Sequence, residues 1–196
     1  MLTPNSQLLT SDSCPLPPLI FIYADESCLG NQFRDRARAG GAGGMLEYHH
    51  PEWGWVRRDC WLSEPDTTNN RMALRSAYEL LDSLRQPARV VFTSDSRYLV
   101  DGITGWVHGW ARRGWTRKGG EIENLALWRE LVRAAARHQV QWCWVKGHAG
   151  HSQNEYANFL ATRAAAQQTA SDGLVPSGFD EWMESERAKG RYHAFL

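Results

Sequence analysis

The sequence predicts an α/β domain built on one mixed β-sheet that is flanked by helices. Short runs of β-branched and aromatic residues alternate with segments whose apolar residues recur at helical spacing. These segments follow the order βββαβααβα, and two of the strands end in an acidic residue. A chain of 196 residues with 42% hydrophobic and 22% charged side chains suits a single globular domain.

Three strands are predicted in the N-terminal part of the chain. The run LIFIYADES at 19–27 is apolar and ends in acids, as expected of a buried strand. After a turn rich in Gly and Arg, the runs AGGMLEYHH and WGWVRRDCWLSE predict two more strands. Residues 1–18 are rich in Ser, Thr and Pro and lack periodicity, which indicates a loose leader before the domain.

Helices and strands alternate in the rest of the predicted domain. TTNN at 67–70 offers a helix N-cap, and the apolar spacing that follows predicts an amphipathic helix over 71–85. The remaining predicted elements are a strand at 88–96, a helical segment with a basic loop after it, a helix at 123–139, a strand at 140–145 and a helix at 154–166. We therefore expect a five-stranded sheet within a domain at 19–166. The polar segment 167–196 is either a tail or a segment that docks through Trp182 and Phe195.

Composition limits the cellular context but not the substrate. The formal net charge is zero, so overall charge gives no argument for nucleic acid. The four cysteines form no CxxC pair, which disfavours a zinc site and favours a reducing, cytoplasmic compartment. The N-terminus lacks the features of a signal peptide, and its apolar run is too short to cross a bilayer. We expect a monomer without membrane association.

Acidic residues end two of the predicted strands. Asp25 follows the first strand and Asp95 follows the strand at 88–96. Carboxylates at the ends of adjacent central strands repel each other unless a cation lies between them. Mg²⁺ prefers such carboxylates together with water and phosphate oxygens, and two such ions can clamp a phosphoryl displacement. The alternative for each Asp alone is a cap on a strand or turn.

A basic stretch lies between Gly102 and Gly120. It contains no acidic residue, and tryptophans are interleaved with its positive charges. Such a stretch is typical of a surface that contacts phosphates, although a solvated charge run with Trp packed beneath it is the simpler alternative.

Five runs in the sequence together resemble the type 1 ribonuclease H family. They are DxSCLGN at 25–31, TTNNRM at 67–72, SDSRYLVDGITGWVHGWARRGW at 94–115, ENLALW at 123–128 and WVKGHAGHSQNEYA at 144–157. The resemblance runs from about Phe21 to Ala166 and implies a ribonuclease H-like fold. It also implies cleavage of the RNA strand of RNA–DNA hybrids with Mg²⁺ or Mn²⁺.

The resemblance assigns roles to several residues. Asp25 and Asp95 match the first and third of the family's four catalytic acids, and His148 matches a mobile-loop histidine that assists proton transfer or product release. Hybrid recognition requires contact with 2′-hydroxyls across a wide minor groove. The implied substrate contacts are Asn31, Asn69 and Asn70 in that groove, Trp106 on a DNA sugar, and Arg112, Arg113 and Lys118 on the DNA strand. Arg97 replaces a common Gln, which predicts a phosphate contact, and Asn69 could also cap the helix.

Two of the family's four acids are missing from this sequence. The family's glutamate position holds Ala73, and its fourth acid position holds Asn158. One interpretation is an inactive module that still binds hybrids, and another is a chain inactivated by laboratory substitution. A third interpretation starts from Glu26, which directly follows Asp25 where the family usually has a small residue.

Glu26 is the predicted substitute for the missing glutamate. Type 2 ribonucleases H carry a tandem Asp-Glu on their first strand and use both residues, which this arrangement resembles. Neighbouring residues on a regular strand point to opposite faces, so Glu26 can serve only where the strand twists or ends. Asn158 can still offer a neutral amide oxygen to a cation. The predicted centre is therefore Asp25, Glu26, Asp95 and Asn158, holding two Mg²⁺ or Mn²⁺ ions.

Overall fold

A six-stranded mixed sheet organises the computed structural model, which describes residues 16–29 and 38–192. The strands are β1 (Leu19–Cys28), β2 (Gly40–His50), β3 (Gly54–Glu64), β4 (Arg89–Ser94), β5 (Gln139–Trp144) and β6 (Val175–Pro176). Their order across the sheet is β5-β4-β1-β2-β3-β6. Strands β1, β4 and β5 are parallel to one another, whereas β2, β3 and β6 pair antiparallel with their neighbours. Parallel pairing brings the carboxyl ends of β1 and β4 to the same edge of the sheet.

The predicted count of five strands was wrong by one. Strand β6 comes from the segment predicted as a tail, and it pairs with β3 through Arg58–Pro176 and Asp59–Val175. Two residues are too few to show the alternation that marks a strand in a sequence. This pairing depends on how the C-terminal segment docks onto the sheet.

Six α-helices and one π-helical turn complete the described structure. They are α1 (Asn69–Asp82), α2 (Arg97–Asp101), the π-helical turn Gly102–Trp106, α3 (Val107–Arg112), α4 (Leu125–Ala135), α5 (Ser152–Gln167) and α6 (Phe179–Ala188). Thr68 caps α1, because its side chain accepts a hydrogen bond from the Arg71 backbone N–H. Asn69 is therefore the first helical residue and not the cap.

Helices α1 and α5 cover opposite faces of the sheet. Ile20, Ile22 and Ala24 of β1 share an apolar core with α1 and α4. The intervening residue Tyr23 faces the other side, where it packs in a cluster with residues of α5 and α6. The alternation of side chains along β1 thus divides its residues between two cores.

Small residues allow α5 to lie directly on β2. A Cβ atom at Gly43 would lie 2.5 Å from the Ala161 nitrogen and 2.6 Å from the Ala157 oxygen. A Cβ atom at Gly41 would also collide with the backbone of α5, at Ala161 and Ala165. The glycines of β2 therefore set how closely α5 approaches the sheet.

The segment after α5 docks onto the domain. Phe179 and Met183 of α6 are buried against Met45, Tyr156 and Leu160. The prediction that this segment docks through Trp182 agrees with the ring contact to Tyr156 at 5.3 Å, whereas Phe195 lies outside the described residues. Domain boundaries at 18 and 166 stay a prediction.

The described residues include no helix that is both long enough and apolar enough to span a membrane.

Candidate active site

Three carboxylates meet at the carboxyl ends of β1 and β4. Ligand oxygens of Asp25, Glu26 and Asp95 all lie within 4.8 Å of one another. Asp25 and Glu26 come from β1, and Asp95 directly follows β4. The sequence prediction that these three residues share one site agrees with this geometry.

Glu26 joins the cluster because β1 extends beyond β4. The last residue of β4, Ser94, pairs with Ala24, so Asp25 and Glu26 lie past the end of that strand pairing. By strand alternation, Glu26 lies on the face covered by α1, and Asp25 lies on the face covered by α5. Asp95, which directly follows β4, lies close to the side chains of both Asp25 and Glu26. The next residue, Ser96, is hydrogen-bonded through its side chain to Glu26.

Two donors hold the carboxylate of Asp25. Its Oδ1 accepts the backbone N–H of Glu26 at 2.7 Å, and its Oδ2 accepts the side-chain N–H of Asn154 at 2.9 Å. Asp25 is only 5% exposed, so these bonds take the place of solvent. The carboxylate is fixed from the strand on one side and from α5 on the other.

The electrostatics of the cluster favour a bound cation. Burial and the nearby Asp95 raise the pKa of Asp25 from 3.8 to about 8. Burial and the charges of Asp25 and Asp95 raise the pKa of Glu26 well above its ordinary value, and burial also raises the pKa of Asp95. Each shift reports that a negative charge is unfavourable there without compensation. Oxygen ligands crowded in this way fit a hard divalent cation, which removes the repulsion.

Strand β5 and the loop after it support Asp95. The indole N–H of Trp144 donates to the Asp95 backbone oxygen at 2.9 Å, and the Arg97 guanidinium lies 3.7 Å from the centre of the Trp144 ring. Gly147 packs so closely that a Cβ atom there would collide with the Asp95 carboxylate. The predicted substrate residue Arg97 is thus stacked beside the acidic cluster, and its side chain is largely exposed.

His148 lies in the exposed loop between β5 and α5. Its side chain is 74% exposed, and its Nδ1 lies 3.4 Å from a carboxylate oxygen of Glu155. The backbone of His148 has a φ of 52°, in the left-handed region that residues other than Gly seldom adopt. Burial raises the pKa of Asp95, and His148 opposes part of this rise, which indicates that the loop lies close to the cluster.

The two asparagines of α5 have different surroundings. Asn154, in the first turn, is 3% exposed and contacts Asp25. Asn158, one turn later, is partly buried and lines a groove between α5 and α6 together with Phe159 and Trp182. The Asn158 side-chain oxygen accepts a long hydrogen bond of 3.5 Å from Thr162. The assignment of Asn158 as a metal ligand stays a prediction.

Ala73 lies in the apolar core under α1. It is 1% exposed and belongs to the same cluster as Ala24, the residue before Asp25. The position at which the family carries glutamate is therefore on the same face of the sheet as Glu26.

The predicted substrate-binding residues are mostly solvent-accessible. Asn69 is exposed and Asn70 partly buried at the start of α1, and Trp106 is 42% exposed at the end of the π-helical turn. Arg112, Arg113 and Lys118 are all exposed. Asn31 lies outside the described residues, so its predicted contact has no structural test.

The sequence analysis missed Asn154, Glu155 and Trp144. Asn154 and Asn158 are four residues apart on one helix, so they lie on the same side of it and spacing cannot distinguish them. Their different surroundings depend on how α5 is rotated against β1. Trp144 differs from other strand residues because its indole N–H donates to the Asp95 backbone oxygen, a contact that the sequence does not reveal.

Comparison with known proteins places this chain in a family. The family model for RNase H matches residues 18–166. The chain is 44% identical to a ribonuclease H of Dinoroseobacter shibae over 150 residues, which cover 76% of this chain and 92% of that protein. It is 42% identical to ribonuclease HI of Neisseria meningitidis serogroup B over 149 residues, covering 76% and 96%. The chain therefore belongs to the ribonuclease H family.

A solved structure is still more similar in sequence. The chain is 57% identical to LC9-RNase H1, described as a type 1 RNase H with the type 2 active-site motif. The match has a TM-score of 0.83 and covers 89% of this chain and 86% of that one. The similarity thus extends beyond residue 166, where the family model ends.

Proposed function

We propose that Asp25, Glu26 and Asp95 hold two divalent metal ions and that this centre hydrolyses the RNA strand of RNA–DNA hybrids. Endonucleolytic cleavage of that strand is the activity of the ribonuclease H family, to which the chain belongs. The observation that carries the proposal is the meeting of three carboxylates within 4.8 Å in a chain that lacks the family's helix glutamate.

Glu26 takes the place of that glutamate in the proposed centre. It lies on the α1 face of the sheet, as Ala73 does. The carboxylate on this face therefore comes from strand β1 and not from helix α1. LC9-RNase H1, at 57% identity, is described as having the type 2 motif on a type 1 protein. A tandem Asp-Glu on the first strand is the arrangement that we expect from such a motif.

Different residues have different roles in the proposed hydrolysis. Bound Mg²⁺ or Mn²⁺ supplies a Lewis acid that stabilises charge on the phosphate and lowers the pKa of a coordinated water. Asp25, Glu26 and Asp95 would hold the cations. His148, in its exposed loop, can take up or release a proton near the leaving group. Asn158 is retained as a proposed neutral ligand.

Hybrid binding uses surfaces on both sides of the cluster. Asn69 and Asn70 offer donors and acceptors for 2′-hydroxyls, as Asn31 is expected to do. Trp106 and the exposed cations of the basic stretch are proposed to contact the DNA strand. Arg97 beside Trp144 is proposed to contact a phosphate. A cytoplasmic monomer remains our expectation.

A cleavage assay on a labelled RNA–DNA hybrid tests the proposal. The wild type should cut the RNA strand with Mg²⁺ or Mn²⁺ and be inactive in EDTA, and Glu26→Gln should lower the rate at least about 100-fold, since it removes a charge that holds the cations. Glu52→Gln, in an exposed turn, is the matched control. If the wild type does not cleave the hybrid with either metal, the proposal is wrong and the alternative, an inactive hybrid-binding module, is favoured. Full activity of Glu26→Gln would remove Glu26 from the centre.

A further inference from the structure

Asn154 is held against the acidic cluster by the first turn of α5. Its side chain is 3% exposed, and its amide N–H donates to Asp25 Oδ2 at 2.9 Å. The other oxygen of Asp25 accepts the Glu26 backbone N–H. Asn154 is thus the side chain that fixes the orientation of Asp25, because the second donor belongs to the backbone.

A neutral donor suits this position because the surroundings are already negative. Asp95 and Glu155 both act on Asp25 through their charges. An amide N–H stabilises the anionic carboxylate without adding charge, and hydrogen bonds to charged groups are stronger than those between neutral groups. Such a bond leaves the remaining lone pairs of Asp25 available to a cation.

The amide oxygen of Asn154 gives independent support for a functional role. This oxygen is buried and has no hydrogen-bond partner among the described residues. An unpaired buried acceptor lowers the stability of a fold, so this oxygen does not itself stabilise the core. The amide at this position is therefore explained by the contact that its N–H group makes with Asp25.

We propose that Asn154 is a further polar member of the centre, acting as a positioning residue that orients Asp25 for cation binding. This inference rests on the proposed function, because it assumes that Asp25 holds a divalent ion. Gln153 serves as the internal comparison, since it directly precedes Asn154 in the same turn of α5 and its side-chain oxygen accepts a hydrogen bond from Ser152.

Binding of Mn²⁺ to the full chain, measured by calorimetry without substrate, tests the inference. The variants are Asn154→Leu, which keeps the size but removes the donor, and Gln153→Leu as its matched control. We expect Asn154→Leu to raise the Kd for Mn²⁺ about tenfold, which corresponds to about 1.4 kcal/mol. The thermal midpoint should fall by only about 5 °C, so the chain stays folded during the titration. Gln153→Leu should change the Kd less than about twofold.

Several outcomes would overturn the inference. An unchanged Kd in Asn154→Leu, or an equal loss in Gln153→Leu, would do so. A fall in thermal stability that accounts for the whole loss of binding would assign Asn154 a structural role instead. If Asn154→Leu does not fold, Asn154→Ala is measured against the same criteria.

Two further results separate this inference from the proposed function. Cleavage by the wild type, lost in Glu26→Gln, with normal Mn²⁺ binding in Asn154→Leu would overturn only the role of Asn154. Absence of both Mn²⁺ binding and cleavage in the wild type would overturn both proposals.

Discussion

Helices α1 and α5 cover opposite faces of one sheet, and they meet the acidic cluster in different ways. The α1 face is apolar up to the cluster, and Ala73 is buried in its core. The α5 face lies directly on the glycines of β2 and brings the polar side chain of Asn154 to Asp25. On the α1 side, Glu26 of the strand itself supplies the carboxylate, so the helix needs only to pack. On the α5 side, the position of the helix decides which side chain contacts the site.

The largest effect is expected from disturbing the close contact of α5 with β2. Gly43→Ala places a Cβ atom 2.5 Å from the backbone of α5, so the helix must shift. We expect a loss of about 3 kcal/mol or more in the free energy of unfolding in urea, above the usual cost of overpacking, together with lower activity. Gly105→Ala is the control, because no atom lies within 4 Å of a Cβ atom there. Equal stability of the two variants would contradict the close contact.

A rescue experiment tests whether the α1 face can still supply a carboxylate. Adding Ala73→Glu to Glu26→Gln should recover at least about tenfold of the lost cleavage rate, because it returns a charge to the same face of the sheet. In the otherwise unchanged chain, Ala73→Glu should lower stability without metal, since it buries a further charge beside three others. Cleavage rates with Mn²⁺ and thermal midpoints in EDTA measure both effects. No recovery in the double variant would mean that the α1 position does not reach the cluster.

The pH dependence of stability tests the site between the two faces. The pKa of Asp25 is raised from 3.8 to about 8, so between these values the folded chain binds more protons than the unfolded chain. Stability without metal should therefore fall as the pH rises from about 4 to about 8. We expect the thermal midpoint of the wild type in EDTA, relative to Asp25→Asn, to drop by about 5 °C between pH 5 and pH 8. A constant difference between the two proteins would contradict the raised pKa.

The smallest effect concerns how α6 holds α5. The Tyr156 hydroxyl donates to the buried Asp59 carboxylate at 2.6 Å, and this carboxylate also accepts the Gly178 backbone N–H just before α6. Tyr156→Phe should cost about 1–2 kcal/mol in unfolding and speed proteolysis near residue 178, with a small effect on cleavage rate. Tyr78→Phe, on α1, is the control from the opposite face. A loss of stability confined to Tyr78→Phe would show that this bond does not hold the C-terminal segment.

Much of the fold follows from local patterns in the sequence. The strand at 19–27 and the helix after TTNN were predictable, because apolar periodicity and caps act over a few residues. The two-residue strand β6 was not predictable, since its pairing with β3 depends on the docking of Phe179 and Met183. The run TTNN was recognisable as offering a helix cap, but only the structure shows that Thr68 fills this role, because both Thr68 and Asn69 are suitable caps.

The sequence by itself determined the family and the three carboxylates of the candidate centre. Asp25, Glu26 and Asp95 were identifiable because acids at the ends of strands are recognisable wherever the strands lie. Only the tertiary structure decided how these acids meet. Because β4 ends opposite Ala24, Glu26 can join the cluster. The close packing of α5 on Gly41 and Gly43 brings Asn154 to Asp25. Residues four apart on a helix have nearly the same direction, so only packing against the sheet can distinguish Asn154 from Asn158.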